Sequence, residues 1–403
     1  MSETPFQAIR VTDRVYWVGA IDWSLRDFHG YLTSRGTTYN AYLVVADKVT
    51  LVDTVKRPFL DEMLSRIASV VDISRIDTVV SLHAEMDHSG CLPELIEVAR
   101  PSKVLTSKAG VGVLDAHYQL RAPVEAVVNG AEVNLGGARF VFHETRMLHW
   151  PESMFCWLPD DQVLMSQDAF GMHLASQERF VDQVPTDATS YETAKYFANI
   201  LMPYSDLMGR MLVKLGDTVK QTKVIATDHG PIWREGIEDL LKRYETWCAR
   251  RPSRKLVIAY DTMWQSTAAM ASAIAEGASS AGVRVAVMKL GLAHRSDIAT
   301  ELLDAGGLLV GSPNLNGQMF PTVADLLTYL KSLKPKGLVG GAFGSYGWNA
   351  GVAEQVSETL KELKVESVGE PLSVKFVPRD EHLGKCRAFG ELTARKIIEV
   401  AGG

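Results

Sequence analysis

The chain has 403 residues, 46% of them hydrophobic and 22% charged, with 42 Lys+Arg against 48 Asp+Glu for a net charge of −6. This composition excludes an intrinsically disordered chain, offers core material for two or more domains, and provides no overall basic field for nucleic acid or an anionic membrane surface. No apolar run reaches the roughly 18 residues of a membrane helix, and the polar start Met1-Ser2-Glu3-Thr4-Pro5 is unlike a signal peptide.

In chain order, the first chemically dense stretch is Ser81-Leu82-His83-Ala84-Glu85-Met86-Asp87-His88-Ser89-Gly90. It follows an apolar strand predicted over 76–82 and precedes a helix predicted over 92–99. Four metal-ligating side chains, His83, Glu85, Asp87 and His88, thus lie within six residues at a strand end. Side chains alternate along an extended segment, so His83 and Glu85 share a side, while the turn presents Asp87 and His88 from a second direction. That arrangement suits two adjacent metal ions better than one. Taken singly, Asp87 or Ser89 would read as a helix cap.

Three isolated candidates follow. His149 stands in Leu148-His149-Trp150-Pro151, Asp168 follows an apolar run at 163–165, and His229 follows another at 224–226. Eight of the ten histidines fall in the first 250 residues. Replacing histidine ligands by carboxylates shifts preference from zinc toward iron or manganese.

The charged stretch 250–255, which contains Pro252, marks a domain boundary, giving domains 1–251 and 252–403. Beyond it, strands are expected at 256–260, 283–290, 308–311, 338–342 and 373–377, and helices at 268–280, 296–304, 323–333 and 352–363. This alternation describes a doubly wound α/β domain, whose ligands bind at loops after the carboxyl ends of strands. Three such loops stand out. Tyr260-Asp261-Thr262-Met263-Trp264-Gln265-Ser266-Thr267 runs into a helix and suits a phosphate, but lacks the lysine of a nucleotide triphosphate loop. Gly311-Ser312-Pro313-Asn314-Leu315-Asn316-Gly317 and Gly341-Ala342-Phe343-Gly344-Ser345-Tyr346-Gly347-Trp348 suit a planar ligand covered by an aromatic ring.

These loops together resemble the flavodoxin family from about Arg254 onward. The resemblance implies FMN, with Thr262, Met263, Ser266 and Thr267 near its phosphate. Ser312, Pro313, Asn314, Ala342, Phe343, Gly344, Ser345, Tyr346, Gly347 and Trp348 would flank the ring, with Trp264 and Asn316 as further contacts. The His83–His88 block resembles the metallo-β-lactamase motif H-x-H-x-D-H, with Glu85 in place of the second His. The Glu substitution, the later His149, Asp168 and His229, and the domain order resemble the flavodiiron proteins over essentially the whole chain. The implied fold is an N-terminal metallo-β-lactamase-like αββα sandwich followed by a flavodoxin-like parallel sheet.

Carried over, the resemblance gives one iron His83, Glu85 and His149, gives the other Asp87, His88 and His229, and lets Asp168 bridge them. The three carboxylates with a bridging hydroxide balance two ferrous ions, and burying that set without compensation would be costly. His29 and Tyr196 are candidate hydrogen-bond donors near a bound gas; His117, His143, His173, His294 and His382 read as surface or core residues. The implied activity is reduction of O2 to water and/or NO to N2O by a head-to-tail homodimer or a dimer of dimers. The main rival is a zinc hydrolase of the metallo-β-lactamase type with an appended flavodoxin-like domain; another is a metal-free FMN electron carrier. Cys91, Cys156, Cys248 and Cys386 form no C-x-x-C pair, so neither a cysteine-held cluster nor an appended rubredoxin is expected. Electrons would come from a separate molecule, rubredoxin ahead of a reduced deazaflavin. Cysteine usage fits a reduced, cytoplasmic setting.

Overall fold

Residues 5–402 are described by a computed structural model, and the polar start at Met1–Thr4 lies outside them. Contacts divide the chain into two units: 1–28, 33–196 and 206–244 form the first, and 29–32, 197–205 and 245–403 the second. The division therefore differs from the single cut expected after residue 251. It falls within the helix Ile237–Ala249, and two short segments from the first half group with the second unit. Hydrogen bonds hold those segments there. Leu32 N–H donates to Ser296 Oγ at 3.2 Å, and Asn199 Nδ2 donates to the Ser296 carbonyl at 3.2 Å. Tyr329 Oη donates to Asn199 Oδ1 at 2.7 Å.

The first unit is built on two large sheets. One runs in the order Ile9–Arg10, Val15–Trp17, Tyr42–Val45, Val49–Val52, Ile76–Val80, Lys103–Thr106, Val124–Ala126. The other runs Glu132–Asn134, Arg139–Glu144, Met154–Leu158, Val163–Gln167, Val224–Thr227. Period-two alternation assigns the faces. Val44, Val52, Val80 and Leu105 join Phe140, Phe142, Cys156 and Met165 in the core between the sheets. Their neighbours Leu43, Leu51, Val79 and Val104 turn outward onto Met63, Ile67, Leu92 and Leu95 of the covering helices Leu60–Ala68 and Leu92–Ala99. Behind the second sheet, the ring of Tyr244 on helix Ile237–Ala249 packs at 4.6 Å from Phe170. The result is an αββα sandwich.

In the second unit the parallel strands lie in the order Arg284–Lys289, Ser253–Tyr260, Ala305–Leu315, Val339–Tyr346, Glu366–Ser367. Numbered along the chain this is 2-1-3-4-5, the flavodoxin-like order, whose switch point lies between the first and third strands. Leu372–Lys375 pairs with Val339–Tyr346 beyond the end of Glu366–Ser367. The helix Asp380–Ala401 has no counterpart among the sequence expectations. Gly384 and Gly390 weaken its local helical signal, yet Gly390 is what lets it approach helix Ser266–Ser280. A Cβ there would collide with the Ile274 carbonyl oxygen, and one at Gly277 with that of Arg387.

Candidate metal centre and strand-end cavity

Four loops of the first unit converge on one buried point. His83 follows strand Ile76–Val80; Asp87 and His88 lie in the short helix Met86–Ser89; Asp168 follows Val163–Gln167; and His229 follows Val224–Thr227. His149 comes from the connection before Met154–Leu158. The ligand atoms form two sets, His83 with Glu85, His149 and Asp168, and Asp87 with His88 and His229.

Asp168 joins the sets. Its Oδ2 lies 3.3 Å from His83 Nε2 and 3.1 Å from His149 Nε2. Its Oδ1 lies 3.3 Å from His88 Nε2 and 3.5 Å from His229 Nε2. Glu85 Oε2 faces His83 Nε2 at 3.2 Å and His149 Nε2 at 3.1 Å, and the Asp87 oxygens face His88 and His229 at 3.4 and 3.3 Å. All four imidazoles thus turn Nε2 inward.

Two of the outward nitrogens have partners. His83 Nδ1 lies 2.9 Å from Glu152 Oε1, and His229 Nδ1 donates to the Thr38 carbonyl at 2.6 Å. Such bonds hold the proton on Nδ1 and leave Nε2 with the lone pair a metal needs.

The electrostatics call for positive charge. Burial opposes ionisation of Asp168, yet His149, His83 and His88 outweigh it and hold the carboxyl well below its usual range. Burial likewise opposes protonation of His88, but Asp87, Asp228 and Asp168 push its pKa up to about 10. Without cations, protons on imidazoles compensate the carboxylates; metal ions would displace them. Asp87 Oδ1 and Oδ2, Asp168 Oδ1 and His88 Nε2 are buried and make no hydrogen bond. Buried polar atoms are rarely left so, and a mixed N/O set of this kind fits two transition-metal ions.

Around the sets, the two candidate donors differ in burial. Tyr196 is buried, and burial and Asp168 raise its pKa well above the usual tyrosine value. His29 instead sits exposed at a turn with φ 56°. His173, assigned above to surface or core, also lies beside these sets. It is fully buried, its Nδ1 is 2.8 Å from Thr37 Oγ1, and its ring centroid is 4.7 Å from that of His229 and 5.0 Å from that of Tyr196. Glu152 was also missed. The available signal was position, since each lies a few residues beyond a ligand candidate, His173 after Asp168 and Glu152 after His149.

In the second unit, a cavity of ≈ 710 Å³ opens at the strand ends, within the usual range for a small-molecule site. Met263, Trp264, Ser266, Pro313, Asn314, Asn316, Ser345, Tyr346, Gly347 and Trp348 line it, joined by Asn349, Phe376 and Val377, which the sequence reading did not single out. Other expected contacts point elsewhere. Phe343 and Ala342 are buried, Phe343 in the core against Gly311, where any Cβ would meet its ring. Gly344 packs by the Ser312 carbonyl, and Ser312 Oγ accepts from Phe320 N–H at 2.9 Å. Thr267 Oγ1 is 2.8 Å from Ser345 Oγ. Thr262 Oγ1 is buried without a hydrogen-bond partner, beside a helix N-terminus that Gln265 leaves without a side-chain cap. Uncapped N–H groups and a spare hydroxyl fit a phosphate, and the aromatic rim fits a planar ring.

Comparison with known proteins matches both units. Residues 258–390 match the family described as Flavodoxin, and 37–230 match the ODP family beta lactamase. The chain is 42% identical to a nitric oxide reductase of Moorella thermoacetica, over 98% of this chain and 100% of that protein. The rubredoxin oxygen:oxidoreductase structure from Desulfovibrio gigas superimposes with a TM-score of 0.96 at 39% identity, covering 98% of this chain and 100% of that one. A flavodiiron protein structure from Giardia intestinalis superimposes with a TM-score of 0.94 at 30% identity, covering 98% of each.

Proposed function

The chain belongs to the flavodiiron protein family, and from that premise we propose that it reduces O2 to water, NO to N2O, or both, at two iron ions fed by FMN. The observation that carries this reading is Asp168, which turns one carboxylate oxygen toward each ligand set. His83, Glu85 and His149 would hold one iron, Asp87, His88 and His229 the other, and Asp168 both. FMN would occupy the strand-end cavity, its phosphate toward Thr262 and Ser266 and its ring between Trp264, Tyr346 and Trp348.

Bound iron supplies redox-active positions for a diatomic gas, and bound FMN supplies electrons to them. The chain's own part is to hold those groups. Glu152 and the Thr38 carbonyl fix the tautomers of His83 and His229, so that Nε2 stays available. Three carboxylates, Glu85, Asp87 and Asp168, bring the negative charge that two ferrous ions need for near-neutrality. Tyr196 keeps its proton through the whole working range and is a donor poised beside Asp168. A zinc hydrolase would leave the cavity and its aromatic rim without a role.

Electrons would arrive from a separate carrier. A rubredoxin is favoured because the similar D. gigas protein is a rubredoxin oxygen:oxidoreductase. A head-to-tail homodimer would pair one chain's cavity with its partner's metal site. Trp264 and Trp348, 89% and 92% exposed at the cavity, form an apolar rim suited to such burial. Among the described residues, no helix is long and apolar enough to cross a membrane.

The test is steady-state gas consumption by protein loaded with iron and FMN, with reduced rubredoxin as donor. Consumption of O2 or NO, with both cofactors required, is the expected result. Zinc without flavin in the purified protein, or no consumption of either gas, would end the proposal.

A further inference from the structure

Gln167 is in contact with all three segments that carry the isolated ligands. It is fully buried and ends strand Val163–Gln167 immediately before Asp168. Its side-chain Oε1 accepts from the Asp168 N–H at 2.7 Å, and its Nε2 donates to the carbonyl of Leu148, the residue before His149. Its backbone carbonyl accepts from Asp228 N–H at 3.0 Å, the residue before His229. The amide orientation follows from its partners, because an N–H can only donate and a carbonyl can only accept.

The local backbone is shaped around these bonds. Pairing with strand Val224–Thr227 slips between Met165 and Gln167, so that Met165 faces Ala226 and Gln167 faces Thr227, leaving Ser166 unmatched. Such a bulge re-aims the side chains that follow it. Gln167 itself has φ 45°, in the left-handed region that disfavours a residue with a Cβ. Gly or Asn would relieve that backbone, but Gly offers no amide, and Asn is a methylene short of spanning both partners.

We propose that Gln167 is a positioning residue that fixes the distance between the two metal ions, by tying the bridging Asp168 to the His149 segment on one side and the His229 segment on the other. The inference rests on the ligand roles given under the proposed function. It assigns Gln167 no contact with metal or substrate. Its effect is on geometry: Asp168 keeps one oxygen on each set only while the flanking segments hold station.

The experiment compares Gln167→Met and Gln167→Asn with the unaltered protein, each loaded with FMN and reconstituted anaerobically with iron. The readouts are iron affinity by chelator competition, magnetic exchange coupling within the iron pair by Mössbauer and EPR spectroscopy, and melting of the iron-free form. Met keeps the length but loses both amide bonds. It is expected to lower iron affinity about 10- to 100-fold and to alter the coupling, with FMN content unchanged. Asn tolerates the positive φ and can keep one of the bonds, so it should fold and show a smaller change in the same direction. Wild-type affinity and coupling in a folded Met variant would overturn the proposal. If Met fails to fold, the same result in the Asn variant would overturn it. A wild-type protein that binds no coupled iron pair would instead contradict the functional reading beneath it.

Discussion

Glu152 Oε1 lies 2.9 Å from His83 Nδ1 and also accepts the Ala84 N–H at 3.1 Å. One carboxylate therefore orients an imidazole and pins the backbone beside it. Burial opposes ionisation of Glu152, but His83 outweighs it and keeps the group a carboxylate. Glu152→Ala should weaken iron binding about 10- to 100-fold, whereas Glu152→Gln, which retains an acceptor, should cost less. Chelator competition on the two variants checks the order. Equal losses would mean that charge rather than orientation matters.

Trp348 and Trp264 are almost wholly exposed, so replacing either should leave the fold's stability unchanged. Their reading as ring contacts makes a different demand. Trp348→Ala should weaken FMN binding about 2- to 10-fold, the worth of a single aromatic contact. Titration of the flavin-free protein by quenching of FMN fluorescence measures this directly; unchanged affinity would remove Trp348 from the flavin site.

The contact between helices Ser266–Ser280 and Asp380–Ala401 depends on two glycines, since a side chain at Gly390 or Gly277 would run into the opposite helix's backbone. Backbone cannot rotate away as a side chain can. Gly390→Ala should cost about 1–3 kcal/mol or more, seen as a lowered urea midpoint. Gly384→Ala has open space around its Cβ and removes a helix-interior glycine. It should be neutral or stabilise by up to about 1 kcal/mol. The opposite signs separate packing from helix propensity.

Much of the site was legible because its candidate ligands cluster. His83, Glu85, Asp87 and His88 lie within six consecutive positions, and His149, Asp168 and His229 each flank a strand whose apolar run shows in sequence. What surrounds them was not legible. Glu152, His173 and Gln167 act through partners more than ten residues away in sequence, Ala84 and His83 for Glu152, Thr37 for His173, and Leu148 for Gln167. No local period announces such a contact. In the second unit, the glycine-rich loop Gly341–Trp348 read as a ligand cradle, but most of it belongs to strand Val339–Tyr346, and close strand packing explains why Phe343 fills the space over Gly311. The doubly wound class followed from alternation of elements and the strand order did not, while helix Asp380–Ala401 was masked by its glycines.

The cysteines supply a pH prediction. Burial, with Glu94 adding to it, pushes the Cys91 thiol up to about 12, and burial pushes Cys386 up to about 11. A raised thiol pKa keeps the group protonated, so at pH 8 the reactive thiolate fraction is about 10⁻⁴ and 10⁻³ respectively. Iodoacetamide should label neither in the native protein at pH 8, and both after denaturation. Labelling should rise tenfold per pH unit until the protein unfolds. Rapid native labelling read by mass spectrometry would contradict the burial.

The most direct test of an Asp168-bridged, flavin-fed iron pair is a single turnover in anaerobic stopped flow. Protein loaded with iron and FMN is fully reduced, then mixed with O2 and with NO in separate experiments, alongside Asp168→Asn. The account predicts rapid flavin reoxidation with consumption of at least one gas in the unaltered protein. It predicts loss of iron and of that phase in Asp168→Asn, with FMN still bound. Flavin reoxidation no faster than in Asp168→Asn with either gas would contradict it.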